Sequence, residues 1–327
     1  SAAQFTGLGV DVIEEAARFT DKNTVQAGDV VIQARRFVVA TGSSPAVPPI
    51  PGLDKVPYFT NETIFDNKKA LAHLMVIGGG PIGMELAQAH ARLGSKVTVL
   101  EAYTPLGKDD PELTAIVLKK LKDEGIDIRA GIRIERMERS RGGVRAIVTE
   151  DGEEKEIEAS HLLVAAGRQA NVEGLGLEEA GIDHDRKGIK VSRGLKTSNR
   201  RVCAIGDVAG GVEFTPVANY YAGIVIRNAL FRLPAKADDS IIPWVTFTQP
   251  ELAHVGMTEE QAREKHKSIR VMRWPFAEND RAQTDHETQG LIKVVTTKRG
   301  RIVGATIVGE HAGELITLWS MAMSKKM

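Results

Sequence analysis

The sequence predicts an α/β chain with an α+β domain at its end, and three observations carry that expectation. Apolar runs of strand length flow directly into glycine turns at Thr41-Gly42, Ala166-Gly167-Arg168 and Gly206-Asp207. The stretch MVIGGGPIGMELAQAHARLGSKVTVLE, residues 75–101, joins an apolar run, spaced glycines, a helical pattern and a second apolar run. From Ile241 onward the pattern changes to proline-punctuated β segments, two further strands and a closing apolar helix.

In chain order, TVQAGDVVIQ and RRFVVA have strand composition. The second stops abruptly at Thr41-Gly42-Ser43-Ser44-Pro45, and the AVPPIPG that follows reads as a linker. Leu74–Ile77 is then a buried strand. Gly78, Gly80 and Gly83 fit G-x-G-x-x-G, with helical apolar spacing from Met84 to Leu93. Each part has a physical task. Gly78 permits a tight turn, Gly80 lets a pyrophosphate approach the backbone, and Gly83 allows close helix–strand packing. Pro81 suits a first helical position, and with Ile82 it places the free amides of the first turn toward phosphate. The second strand, Lys96–Leu100, ends in Glu101 about 20 residues beyond the glycines, where the ribose-binding acid belongs. A carboxylate there accepts from a ribose 2′-OH and repels a 2′-phosphate, and AYTPLG offers no arginine to hold one. The expectation is a Rossmann-like domain that binds NAD(H) in preference to NADP(H).

HLLVAAGRQAN and RRVCAIGDVAG repeat the strand-to-glycine grammar, which puts ligand contacts at carboxyl ends of sheets. Beyond Ile241, IIPWVTFTQPELAHVGMT is a β segment, EEQAREKH a polar helix, LIKVVTT and RIVGATIVG are strands, and HAGELITLWSMAMS is a helix on that sheet. The acidic DGEEKEIE is a solvated turn and strand edge.

Composition excludes other classes. The 43 basic residues balance the 43 acidic ones, so neither nucleic acid nor an anionic membrane surface is an expected partner. No apolar run nears the ~18 residues of a membrane span, and SAAQFTGLGV lacks signal-peptide character. One cysteine, Cys203, suits a reducing cytoplasm and sits where inert core packing is expected. Eight histidines without ligand spacing give no metal site. Ser1 at one end, and an apolar helix running into SKKM at the other, are the pattern expected of a fragment.

The ordered motifs VVATGSSPAVPPIPG, GGGPIGMELAQA with Glu101, AAGRQAN, CAIGDV with FTPVA, and PWVTFTQPELAHVGMT resemble the class I pyridine nucleotide-disulfide oxidoreductases. GPIGMELAQAHARLG, WPFAENDRAQ and HAGELI look closest to the mercuric reductase and dihydrolipoamide dehydrogenase-like branch. The resemblance implies an NAD domain inserted in a partial FAD-binding domain. Residues 1–68 would be the first FAD segment, 69–170 the NAD domain, 171–240 the second FAD segment, and 241–327 a truncated dimerisation domain. It implies FAD beside NAD(H), hydride passing from NADH to the flavin and on to an unidentified acceptor, and a homodimer. Asp207 would bind the flavin ribitol, Thr215 lie near the FAD phosphates, Thr41 and Gly42 close over the flavin nucleotide, and Gly167 touch NAD. Glu85 is the catalytic candidate, near flavin and nicotinamide, where relatives pair it with a lysine that this chain does not contain. The family's first G-x-G-x-x-G, its C-x-x-x-x-C and its closing His-Pro and glutamate segment are also absent. Two alternatives stay open: a non-catalytic NAD-binding module, and a transhydrogenase-like protein without a redox disulfide.

Overall fold

A computed structural model describes residues 2–211 and 214–327. Two bodies emerge, Ser1–Ser44 with Gln169–Asp239, and Pro45–Arg168 with Ser240–Met327.

In the second body, four parallel strands lie in the order His161–Val164, His73–Ile77, Lys96–Glu101, Asp127–Ala130. A strand covered on both faces can be apolar at every position. His73–Ile77 shows the consequence: Leu74 and Val76 pack with Met84, Ala87, Leu113 and Val117 of the helices Pro81–Arg92 and Pro111–Asp123, while Met75 and Ile77 join the opposite cluster. That second cluster is supplied by Met137, Val144, Ala146, Val148 and Ile157 of an antiparallel meander, Arg133–Ser140, Gly143–Glu150 and Glu153–Ala159.

The proline stretch that leads into the fingerprint is docked on the meander. Ile50 packs on the meander cluster, the Pro51 carbonyl accepts the Met137 N–H at 2.8 Å, and Leu53 is 1% exposed. Proline rings preset an extended backbone, so laying it down loses little chain entropy.

The closing sheet is antiparallel, ordered Trp244–Thr246, Glu251–Gly256, Ile302–Gly309, Leu291–Thr297, Ile269–Pro275. Alternation sorts its faces. Ala253, Val255, Ala305 and Ile307 pack under the helix Ala312–Ser324, whereas Leu252 and Val308 enter the cluster of the fingerprint helices. On that second face Lys293, with its side chain 4% exposed, lies within 2.8 Å of Asp110, 2.9 Å of Glu112 and 2.8 Å of Glu259. Asp110 also caps the helix Pro111–Asp123, accepting from the Glu112 N–H. Burial lowers the Lys293 basicity, but three carboxylates outweigh it and the ammonium is held charged above its ordinary range.

The first body holds a three-stranded meander, Ala17–Asp21, Thr24–Ala27 and Val30–Gln33, and a parallel pair, Phe37–Val39 with Val202–Ala204. Phe19, Val39, Leu177, Ile189, Val202 and Val208 form its core, and the helix Thr215–Ala229 follows. Among the described residues, no helix is long and apolar enough to cross a membrane.

Replacing Lys293 by Met leaves Asp110 buried with its charge unpaired, so unfolding free energy falls by about 3 kcal/mol, read by urea titration. Arg273 and then Lys293, against some burial, hold Glu112 at about 2, and Lys293 with Arg263 holds Glu259 at about 2. Both folded values lie below the ordinary 4.5, so their stabilisation is complete above that pH and is lost as pH falls toward about 2. Lys293→Met flattens this acid dependence; an unchanged profile would remove the cluster from the account.

Candidate functional site

Parallel pairing brings three loops to one edge of the four-stranded sheet. Ile77 is in register with both Val164 and Leu100, so Gly78, Glu101 and the Ala166–Gly167 turn leave neighbouring strands at the same level. The Gly78 N–H donates to the Leu100 carbonyl at 2.9 Å, and the Ala165 N–H to the Ile77 carbonyl at 2.8 Å.

The fingerprint glycines differ in what surrounds them. Gly78 has φ 109° and lies so close to the Ala165 carbonyl that a side chain there would collide. A Cβ on Gly83 would strike the Gly78 carbonyl, which is the close helix–strand approach in atomic terms. A Cβ on Gly80 would meet nothing within 4 Å among the described residues, so the loop keeps open space in front of its backbone. Helix Pro81–Arg92 begins there with Gly80 as N-cap, proline at its start and no side chain capping it. Its first-turn amides, those of Ile82 and Gly83, and the positive end of its dipole suit a diphosphate. The open cradle and uncapped amides therefore fit a dinucleotide.

Glu101 is built into the loop. One carboxylate oxygen accepts the Gly79 N–H at 2.6 Å and the other accepts the Tyr103 N–H at 2.8 Å. Two fixed bonds set the direction of the carboxylate and leave lone pairs on both oxygens for a diol. Gly167, φ 118°, has open space where a Cβ would stand, and its carbonyl accepts the Ala46 N–H at 2.9 Å. Arg168 reaches Asn61 at 3.4 Å.

Glu85, on the helix Pro81–Arg92, is bonded to the loop at Phe247. It accepts the Phe247 N–H at 2.8 Å, and burial raises its carboxyl above the ordinary value while the Phe247 bond opposes that in part. Gln88 and Arg92, further along the same helix, bind Gln249. Sequence reading missed both, because nothing in a helical pattern says that a distant loop will lie against it.

A second group of loops is brought together in the first body by the same rule. Val39 is in register with Ala204, so Thr41–Ser43 and Gly206–Asp207 emerge together at carboxyl ends. The Ser43 hydroxyl donates to Asp207, a contact no local pattern signalled. Thr41 donates to the Asn171 carbonyl at 2.8 Å, and the Asn171 side chain returns a bond to the Thr41 carbonyl at 2.9 Å. Gly42, φ 68°, again faces open space. Thr215 opens its helix without a side-chain cap, one turn from Ala218, which packs on Gly206. Carboxylate, hydroxyls and a helix start fit a polyol joined to phosphate. Cys203 is 3% exposed, and burial pushes its thiol up, the opposite of an activated nucleophile.

Comparison with known proteins shows the family. The family model for pyridine nucleotide-disulphide oxidoreductases matches residues 3–222, and the model for the dimerisation domain of the same family matches residues 242–327. A mercuric reductase of Lysinibacillus sphaericus is 40% identical over 316 residues, 96% of this chain and 58% of its own length. A dihydrolipoyl dehydrogenase of Thermus scotoductus is 36% identical over 98% of this chain and 70% of its own. Among solved structures, the HOCl-induced flavoprotein disulfide reductase RclA from Escherichia coli superposes with a TM-score of 0.89 at 31% identity, covering 99% of this chain and 76% of that one. The chain thus spans under two thirds of the mercuric reductase it matches.

Two alanine substitutions separate packing from ligand space. Gly83→Ala forces helix and strand apart and destabilises the protein by about 2 kcal/mol. Gly80→Ala meets no protein atom, so thermal unfolding should show no more than the ~1 kcal/mol of a weaker N-cap. Equal losses in the two variants would contradict the open-cradle reading.

Proposed function

Because the chain belongs to the pyridine nucleotide-disulphide oxidoreductase family, we propose that it works in a flavin-dependent NADH oxidoreductase that passes electrons to a disulfide or another acceptor. When bound, nicotinamide and flavin supply the hydride and electron chemistry; the residues here bind, orient and exclude water.

In this reading Gly78, Gly80, Pro81, Ile82, Gly83 and Gly167 hold the pyrophosphate half of NAD(H), and Glu101 holds the adenine-side ribose. Thr41, Gly42, Asp207 and Thr215 hold FAD, with Ser43 orienting Asp207. Glu85 stands one helical turn beyond the phosphate loop, on the nicotinamide side. Residues 1–68 and 171–240 act as the two FAD-binding segments around the NAD domain, and 241–327 as the contact between two copies in a cytoplasmic homodimer.

The observation that carries the coenzyme choice is Glu101, whose carboxylate is tied to the Gly79 amide and so held at the loop that would take the diphosphate. A fixed negative charge there excludes a 2′-phosphate. Titration should show NADH binding well ahead of NADPH, with Glu101→Ala weakening NADH about tenfold or more, as loss of a charged hydrogen-bond acceptor implies. A native preference for NADPH would overturn the assignment. For electron transfer, the test is the visible spectrum of the protein supplied with FAD under anaerobic conditions. A flavin band that bleaches on adding NADH is expected, and Asp207→Ala should lose the band without changing far-UV dichroism. Flavin that binds but resists NADH would defeat the proposed activity.

A further inference from the structure

The helix Pro81–Arg92 presents three polar side chains to one short strap of the closing domain. Glu85 accepts the Phe247 N–H at 2.8 Å. Gln88, 3% exposed, accepts the Gln249 N–H at 2.8 Å and donates to the Gln249 carbonyl at 2.9 Å. Arg92 donates to the Gln249 side chain at 2.8 Å. Within the strap, Thr248 is 2% exposed and its hydroxyl donates to the Pro250 carbonyl at 2.8 Å. Each strap residue is thereby pinned, while the Phe247 ring remains 67% exposed.

A buried amide costs free energy unless both its ends are bonded, so Gln88 is an expensive way to fill a helix face. An apolar residue of the same length would pack there as well. What only the amide provides is a two-point clasp on a single residue's N–H and C=O, which fixes the strap in translation and rotation together. Two residues back along the strap, the Phe247 N–H is the partner the structure gives Glu85. The setting of the Glu85 carboxylate therefore passes through the Gln249 backbone to Gln88.

We propose that Gln88 is a positioning residue for the nicotinamide end of the dinucleotide site: its clasp on Gln249 holds Phe247, and Phe247 holds the Glu85 carboxylate. The proposal rests on the reading of residues 78–101 as an NADH site with Glu85 toward the nicotinamide. It separates Gln88 from the phosphate loop, whose geometry is set by Gly78, Gly83 and Glu101.

The test is a double-mutant cycle of Gln88→Met and Glu85→Gln, reading dissociation constants for NADH and for ADP-ribose, which lacks the nicotinamide, together with melting temperatures. Gln88→Met is expected to raise the NADH constant about tenfold in the native background and less than about twofold beside Glu85→Gln, since residues acting through one chain of contacts are not additive. ADP-ribose binding should stay within about twofold in every variant, because the phosphate loop is unaltered. Should Gln88→Met not fold, Gln88→Asn keeps the amide but withdraws it by one methylene, and the same cycle applies. Additive effects, or equal losses for NADH and ADP-ribose, would make Gln88 a packing residue and overturn the proposal. Failure of the native protein to bind either ligand would instead remove the NADH site itself, and the proposal with it.

Discussion

A buried ammonium has to be neutralised, and in the second body that requirement falls on Lys293. Its three carboxylate partners come from different elements: Asp110 and Glu112 from the start of the helix Pro111–Asp123, and Glu259 from the start of the helix Glu259–Lys265. Arg273 ties Glu112 and Glu259 together from the edge strand. Apolar contact alone, such as that of Leu252 and Val308 with the fingerprint helices, is non-directional and tolerates sliding. Ion pairs of about 2.8 Å do not. The cluster consequently sets the register of the closing sheet on the fingerprint helices, and with it the place where the strap Phe247–Gln249 meets Glu85, Gln88 and Arg92.

Such a cluster is a weak source of net stability, since desolvating the charges offsets most of their attraction. Its contribution is geometric. Trp244, which donates to Asp109 at 2.8 Å and lies 4.4 Å from the His254 ring, repeats the arrangement a few residues away. Polar partners thus recur along the seam between the two domains of this body, and each fixes an orientation that packing would leave loose.

The two loop clusters share one construction. Parallel strands end at a common level, and Gly42, Gly78, Gly167 and Gly206 in the turns that follow take positive φ, which glycine adopts at no steric cost. Gly78 and Gly83 are required by the protein's own carbonyls, whereas Gly80 and Gly42 border space that no atom of the described residues fills. That division, between glycines crowded by the protein's own backbone and glycines that face open space, is invisible in the spacing G-x-G-x-x-G.

The sequence by itself determined the element types and the loops that could hold ligands. Strand runs such as Leu74–Ile77, the helix start at Pro81 and the acid at Glu101 are local signals, written within about 30 residues of one another and governed by periodicity, capping and turn chemistry. The docking of the proline stretch on the meander, the Ser43–Asp207 contact, the Gln88 clasp and the Lys293 cluster were decided only in the tertiary structure. Each joins residues far apart in the chain; Ser43 and Asp207 are separated by 164 positions. Nothing local in LIKVVTT marks its lysine for burial, and nothing in MELAQA marks its glutamine. Only when another element covers them does burial force every donor and acceptor to find a partner, and that coverage is set by how layers pack, a property no local pattern carries.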